Sequence, residues 1–178
     1  DYADLRKRLG DIVIAESVEG HPIKADQIEA AGAMALLLRN AFLPNLVQTL
    51  EGNPALIHGG PFANIAHGNS SIVADRIALS CADYVVTEAG FGSDMGAEKF
   101  MHIKANTSGK APDCVVMNVT VRSMKLHGKA FGERGGYRPS KDELETENVQ
   151  AVIAGATSNL DRHIKNMARF GVPVVVSI

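Results

Sequence analysis

The chain has 178 residues, of which 46% are hydrophobic, and its formal net charge is -2. A chain of this length buries roughly 70% of its unfolded surface, so we expect one globular domain with a core of its own. The small negative charge argues against nucleic acid or an anionic membrane as the partner, since both require a basic surface.

The first half of the chain is predicted to contain short strands and two helices. We predict a helix tail at residues 4–9, strands at 12–15 and 55–57, a turn at 20–22, a helix from 26 to 44, and a helix at 72–82. The helix that starts at Asp26 has Ala and Leu on several faces, so we expect it to be buried on more than one side. Pro44 ends it.

The second half continues the alternation of strands and helices. We predict a strand at residues 84–87, a helix from 95, a strand at 114–117 that continues to 121, a glycine-rich loop at 132–137, and a last strand after Pro173. Ser140 and Glu143 have capping-box spacing, which predicts one long helix behind them that ends at Gly171. Cys81 and Cys114 lack metal or disulfide spacing, so we interpret them as buried hydrophobes of a reducing compartment.

This alternation predicts the α/β class, with a mostly parallel sheet and helices on both faces. Ligands of such sheets bind at the carboxyl ends of the strands. The loops after Ile57, Thr87 and Val121 are therefore expected to meet along one edge and to form the site. The longest apolar run is too short to cross a membrane.

The central stretch is V-V-T-E-A-G-F-G-S-D-M-G-A-E-K-F, in which a strand is followed by a glycine-spaced turn and a helix. We expect Gly90 and Gly92 to adopt backbone angles closed to other residues. Ser93 or Asp94 should cap the helix that follows. The free N–H groups at such a helix start attract phosphate or carboxylate.

The stretch H-G-G-P-F-A-N-I-A-H-G-N-S-S forms the second candidate loop. Its polar groups are His58, Asn64, His67, Gly68, Asn69 and Ser70. Those at the helix start predict an anion site. The alternatives are a structural His58 and simple N-capping by Asn69 or Ser70. The spacing of histidines and cysteines favours no transition-metal site.

Four further side chains are candidates for substrate binding. Phe91 lies between two glycines, where its ring can be exposed and can stack on a flat ligand. Glu88 and Asp94 flank the turn, and their alternative role is to bind the backbone. Arg122 follows a strand and can bind an anionic substrate, or pair with Glu88 or Asp94 instead.

Both central stretches, with N-L-V-Q-T-L-E-G and V-T-V-R-S-M-K-L-H-G, resemble formate-tetrahydrofolate ligase, also called 10-formyltetrahydrofolate synthetase. The resemblance implies a P-loop NTPase-like or Rossmann-like fold. It also implies an ATP-dependent reaction in which formate becomes formyl phosphate and is then attacked by N10 of tetrahydrofolate. Phe91 would stack on the folate and Gly96 would contact the formyl phosphate through its backbone, with His58 and His67 beside them.

The same resemblance implies ATP, Mg²⁺ and a monovalent cation as cofactors, small-molecule substrates, a homo-oligomer and a cytoplasmic location, or a mitochondrial one in a eukaryote. Residues 1–178 would form a single α/β segment of a longer ligase, without its phosphate loop, and would be inactive alone. Two alternatives stay open at this point. Gly90-Phe91-Gly92 also fits a dinucleotide-binding oxidoreductase domain, and the chain could be a non-catalytic remnant of the ligase fold.

Overall fold

The computed structural model describes residues 1–59, 66–129 and 139–178 of the chain. The described residues divide into two compact units, one from Asp1–Gly60 and Ser70–Val86, the other from Pro61–Asn69 and Thr87–Ile178. Each unit is described by itself below. The expected single segment over residues 1–178 stays a prediction.

The first unit contains α1 (Tyr2–Gly10), β1 (Val13–Glu16), β2 (Pro22–Lys24), a 3-10 helix (Ala25–Ile28), α2 (Ala30–Leu37), β3 (Asn45–Gln48), β4 (Pro54–Ile57) and α3 (Ile72–Cys81). Two helices begin at side-chain caps, because Asp1 accepts the N–H of Asp4 and Ser71 accepts the N–H of Ala74. Strands β1 and β2 pair antiparallel, as do β3 and β4. Sequence reasoning missed β2 and β3.

Helix α2 is shorter and more exposed than predicted. It ends at Leu37, with Leu38 as its C-cap, rather than near Pro44. Its small residues Ala31 and Ala35 are buried, whereas Leu36 and Leu37 are 65% and 84% exposed. The prediction of burial on several sides is therefore wrong, since only the alanine face of the helix is packed.

The second unit contains the π-helices Ser93–Ala97 and Phe100–Ala105, α4 (Asn106–Ser108), β5 (Val115–Asn118), α5 (Val121–His127), α6 (Lys141–Glu145), α7 (Val149–Gly155), the π-helix Ala156–Leu160, α8 (Asp161–Ala168) and β6 (Val174–Ser177). Strands β5 and β6 pair in parallel, with Val115 opposite Val174. Met117, Met124, Ala151 and Met167 form the buried core beside them.

Helices α5 and α7 approach each other closely through glycine. A Cβ atom on Gly128 would lie 1.8 Å from the carbonyl oxygen of Ala151, and one on Gly155 would lie 2.0 Å from that of Met124. Each glycine thus faces the backbone of the other helix. The two helices can approach this far only because neither glycine has a side chain.

Several sequence predictions for the second half are wrong in detail. Residues 84–87 form no strand, and Tyr84 and Val86 are 91% and 96% exposed. The strand predicted to reach residue 121 ends at Asn118, because Thr120 caps helix α5 by accepting the N–H of Ser123. The long helix is interrupted after Glu145, although its Ser140–Glu143 capping box is confirmed.

The α/β class is confirmed, since helices and strands are mixed throughout the described ranges. Of the three two-stranded sheets described there, one is parallel and two are antiparallel. Cys81 and Cys114 are both exposed, which contradicts their interpretation as buried hydrophobes. Among the described residues, no helix has both the length and the apolar character needed to cross a membrane. The predicted loop at 132–137 lies outside the described residues.

Candidate functional site

A cavity of about 710 Å³ lies in the second unit, between the glycine-spaced turn, the end of β5 and the helices α5 and α8. Its polar and aromatic lining consists of Thr87, Glu88, Phe91, Ser93, Asp94, Asn118, Ser123, His127, Asn159 and His163. The structure therefore brings the turn after Thr87 and the segment after β5 to one cavity. In the loop after Ile57, His58 belongs to the first unit and residues 66–69 belong to the second. The meeting of the loops after Ile57, Thr87 and Val121 along one sheet edge stays a prediction.

Phe91 is the residue of the turn with an unusual backbone. Its φ angle is +66°, in the left-handed region, and its side chain is 61% exposed at the cavity. Gly92, by contrast, has an ordinary φ of -67°, and Gly90 is not among the residues with positive φ. The expectation that the two glycines take the special angles is wrong, because Phe91 takes one instead. Left-handed backbone at a large residue is strained and is common at functional sites.

Gly96 is buried behind this turn. A Cβ atom at this position would lie 1.8 Å from the carbonyl oxygen of Gly90 and 2.7 Å from its carbonyl carbon. Its N–H donates to the carbonyl oxygen of Gly92 at 2.9 Å. Packing therefore requires a glycine here. The proposed contact of its backbone with formyl phosphate remains a prediction.

The helix after the turn starts without a side-chain cap. Gly92 occupies the N-cap position, so capping by Ser93 or Asp94 is wrong. The hydroxyl of Ser93 lies instead 2.6 Å from Nδ1 of His163, seventy residues further along the chain. Asp94 and Glu88 are exposed and line the cavity, where their carboxylates give it a negative potential.

The predicted anion loop is joined to the turn through the backbone. Asn69 forms an isolated antiparallel bridge with Ala89, and the N–H of Gly90 donates to the carbonyl oxygen of Gly68 at 2.9 Å. Asn69 is only 3% exposed. Its amide nitrogen donates to the carbonyl of His67, while its buried amide oxygen has no hydrogen-bond partner among the described residues. Asn69 thus holds the loop against the turn.

His58 is in the first unit, and both of its ring nitrogens are engaged. Nε2 lies 3.0 Å from the carbonyl oxygen of Ala41, so it carries the proton, and Nδ1 lies 2.6 Å from the hydroxyl of Ser71. These bonds support the structural alternative for His58, and its catalytic role remains a prediction. Neither Asn69 nor Ser70 caps α3, since Ser71 does so. Asn64 lies outside the described residues.

Arg122 and Lys125 lie on helix α5 and both contact the segment around α6. The guanidinium of Arg122 donates to the carboxylate of Glu145 at 2.9 Å, so its described partner is neither Glu88 nor Asp94. Lys125 is 5% exposed, and its ammonium donates to the carbonyl oxygens of Leu144 and Thr146 at 2.7 Å each. Lys125 therefore stabilises the end of α6, and anion binding by Arg122 stays a prediction.

Sequence reasoning missed the far wall of the cavity. Asn159 and His163 lie in the predicted long helix, where a polar residue beside an apolar stripe gives no signal of function. Ser123 lies in a stretch predicted as a loop. His127 lies in the same stretch and is the second imidazole at the cavity.

A large shift in pKa occurs on the surface of the first unit, at Asp11. Hydrogen bonds from Lys7 and then Lys24 lower the pKa of Asp11 to about 2, and the same contact raises the pKa of Lys7. Within the described ranges, no three His, Cys, Asp or Glu side chains lie close enough to hold a metal ion together. We therefore assign no residue of this segment to Mg²⁺.

An α/β unit with an exposed aromatic ring, carboxylates and imidazoles around one cavity is typical of enzymes that bind small molecules. A family model for formate-tetrahydrofolate ligase matches residues 1–178, and the chain belongs to this family. It is similar to the formate-tetrahydrofolate ligases of Granulibacter bethesdensis (54% identity, 100% of this chain, 29% of that protein), Rhizobium rhizogenes (55%, 100%, 30%) and Maricaulis maris (56%, 100%, 30%). The resemblance inferred from the sequence is confirmed. The chain spans about 30% of the length of the curated relatives it matches.

Proposed function

We propose that the complete gene product joins formate to tetrahydrofolate at the expense of ATP, forming 10-formyltetrahydrofolate, ADP and phosphate. Formate would first take the γ-phosphoryl group to give formyl phosphate, and N10 of tetrahydrofolate would then attack the formyl carbon and release phosphate. Membership of the ligase family supports this activity. The segment would supply part of the folate and formyl phosphate site and would be inactive by itself.

The observation that supports the folate site best is the conformation of Phe91. Its ring is 61% exposed at the cavity although the backbone holds it at a φ of +66°. Neither the exposure nor the strain stabilises the fold. A pterin ring stacked on the phenyl face would account for both the exposure of the ring and the strained backbone. Glu88 and Asp94 would then meet the polar edge of the pterin, and Arg122 and Asn64 the rest of the substrate.

The start of the following helix supports an anion site for the formyl phosphate. The backbone is helical without a break from residue 93 to 108. The N–H groups of Met95 and Gly96 both donate to Gly92, so the N–H groups of Ser93 and Asp94 are the ones left for an acyl phosphate. Gly92 and Gly96 would then shape this site, and His67, Gly68 and Asn69 of the same unit would line it. Roles of His58 and Ser70 in the reaction remain predictions from the sequence.

ATP is a family expectation that this segment cannot hold alone, since the phosphate loop with its lysine lies in another part of the family's chain. Mg²⁺ and a monovalent cation would bind with the nucleotide there. We place the complete protein in the cytoplasm, or in the mitochondrion of a eukaryote, as a homo-oligomer that acts on small molecules.

The test is the affinity of the complete gene product for tetrahydrofolate, together with coupled formation of 10-formyltetrahydrofolate. Phe91→Ala should weaken tetrahydrofolate binding about 10-fold or more, since stacking on one ring contributes about 1–3 kcal/mol. Tyr2→Ala removes a partly exposed ring that does not line the cavity and is the matched control. Unchanged folate affinity in Phe91→Ala would overturn the folate site. Absence of ATP and folate binding by the wild type would favour the non-catalytic remnant.

A further inference from the structure

Ser93 and His163 form a hydrogen bond that joins two parts of the chain seventy residues apart at the edge of the cavity. The hydroxyl oxygen of Ser93 and Nδ1 of His163 are 2.6 Å apart, and both residues line the cavity. Both side chains are partly buried. The bond connects the first residue of the helix behind the glycine-spaced turn with helix α8.

The hydroxyl of Ser93 does not bond within its own helix. Serine near a helix start usually bonds the local backbone, as Ser71 and Ser140 do in this chain. Here the N-cap is Gly92, without a side-chain bond, and the hydroxyl is directed to His163 instead. The local bond is therefore replaced by a contact with helix α8, which also lines the cavity.

Ser93 lies at the start of the helix whose N–H groups are proposed to bind the acyl phosphate. Ser93 follows Phe91 by two residues, and among the described residues no backbone acceptor is found for its N–H group. A hydrogen bond to the Ser93 hydroxyl restrains the position of the Cα atom, and with it the start of the helix that carries this N–H group. Small errors in the placement of groups around a reacting centre slow a reaction strongly.

The ring of His163 is itself well fixed. It lies on α8, whose contact with the π-helix Ser93–Ala97 closes this side of the cavity. Among the described residues, Ser93 is the one hydrogen-bond partner of its ring, bound through Nδ1. The titratable residues that line the same cavity are Glu88, Asp94 and His127, and those on its own helix are Asp161, Arg162 and Lys165.

We propose that His163 is a positioning residue of the ligase site: by holding the Ser93 hydroxyl through Nδ1, it fixes the N–H groups that receive the acyl phosphate. The inference rests on the proposed function. It concerns the rate of the chemical step more than the binding of substrate, because a misdirected N–H group loses contact chiefly with the charge that develops during acyl transfer.

The test uses variants of the complete gene product. Ser93→Ala and His163→Leu should each lower kcat about 10- to 100-fold with little change in the KM for tetrahydrofolate. The double variant should be no slower than the worse single one, since both remove the same bond. His163→Asn keeps a polar atom near the position of Nδ1 and should restore most of the rate. His102→Leu removes an exposed histidine on another helix and is the matched control.

The outcomes separate this inference from the proposed function. Additive losses, no rescue by asparagine, or a kcat equal to the wild type in an active enzyme would each overturn the positioning role and leave the ligase activity in place. A loss of thermal stability that accounts for the lower rate would also overturn it. If the wild type makes no 10-formyltetrahydrofolate, the proposed function fails, and the positioning role that rests on it fails as well. A large rise in the KM for tetrahydrofolate with an unchanged kcat in both single variants would also overturn the positioning role, because the bond would then act on substrate binding.

Discussion

The Cα atom of Gly96 faces the carbonyl group of Gly90 so closely that a Cβ atom would lie 1.8 Å from its oxygen. The glycine-spaced turn and the helix behind it are therefore in backbone contact. This contact explains the third glycine of the motif by packing. Gly32 in α2 is a useful contrast, because nothing lies within 4 Å of the position where its Cβ would be.

We expect Gly96→Ala to destabilise the protein by about 1–3 kcal/mol, because the turn and the helix must separate to admit the methyl group. Gly32→Ala should instead stabilise it by about 0.5–1 kcal/mol, since alanine favours the helix. Urea unfolding of both variants measures the difference. A Gly96→Ala protein as stable as the wild type would contradict the close packing of the turn.

Replacing Phe91 with glycine should separate stability from function. Glycine adopts a φ of +66° without strain, so Phe91→Gly should raise the free energy of unfolding by about 1 kcal/mol. The same variant should lose affinity for tetrahydrofolate. Thermal unfolding and fluorescence titration give the two values. Phe91→Ala, which lacks the ring but keeps the strained backbone, is the control, and a Phe91→Gly protein no more stable than Phe91→Ala would contradict the strain at this position.

We expect Lys125 to stabilise the fold rather than to bind a substrate. Its ammonium donates to two carbonyl oxygens at 2.7 Å each, so Lys125→Met should destabilise the protein by about 3 kcal/mol by leaving both acceptors without a donor. Lys165→Met removes an exposed lysine paired with Asp161 and should change stability by under about 0.5 kcal/mol. Chemical denaturation compares the two. Equal effects would show that the end of α6 does not depend on Lys125.

The surface pair of Lys7 and Asp11 should make stability depend on pH in the acid range. The pKa of Asp11 is about 2 in the folded protein, below its ordinary value of 3.8, so the stabilisation is complete above about pH 4 and is lost as pH falls through about 2. Asp11→Asn should lack this part of the pH dependence. Urea midpoints at about pH 5 and about pH 2, at low salt and at about 1 M salt, measure it. The same slope in both proteins would contradict it.

Local signals in the sequence predicted those elements that local interactions stabilise. The capping box at Ser140 and the helix end at Gly171, whose φ is +74°, follow from residues a few positions apart. The resemblance to the ligase family rests on long sequence motifs and not on the periodicity of hydrophobic residues. The flanking residues Gly90 and Gly92 predict that the side chain of Phe91 is exposed, but they do not predict its positive φ angle.

The remaining features depend on partners that the sequence does not reveal. Residues 84–87 have the composition of a buried strand, but a strand requires a paired neighbour, and none is described for them. Val119 and Val121 suggested a continued strand, yet the side chain of Thr120 starts a helix between them. The contact of Ser93 with His163 joins residues seventy positions apart, which no local pattern encodes.

The reciprocal glycines Gly128 and Gly155 have a consequence for how a ligand enters the cavity. At Gly128 and Gly155 the backbones of α5 and α7 are in direct contact. Because no side chain separates the two backbones at these two points, a change of rotamer there cannot allow one helix to move against the other. We therefore expect α5 and α7 to form a rigid part of the cavity wall. We therefore expect any opening for substrate to come from the opposite side, through a swing of the strained peptide at Phe91. Spin labels on Leu126 and Ile153 should keep one sharp separation with and without folate.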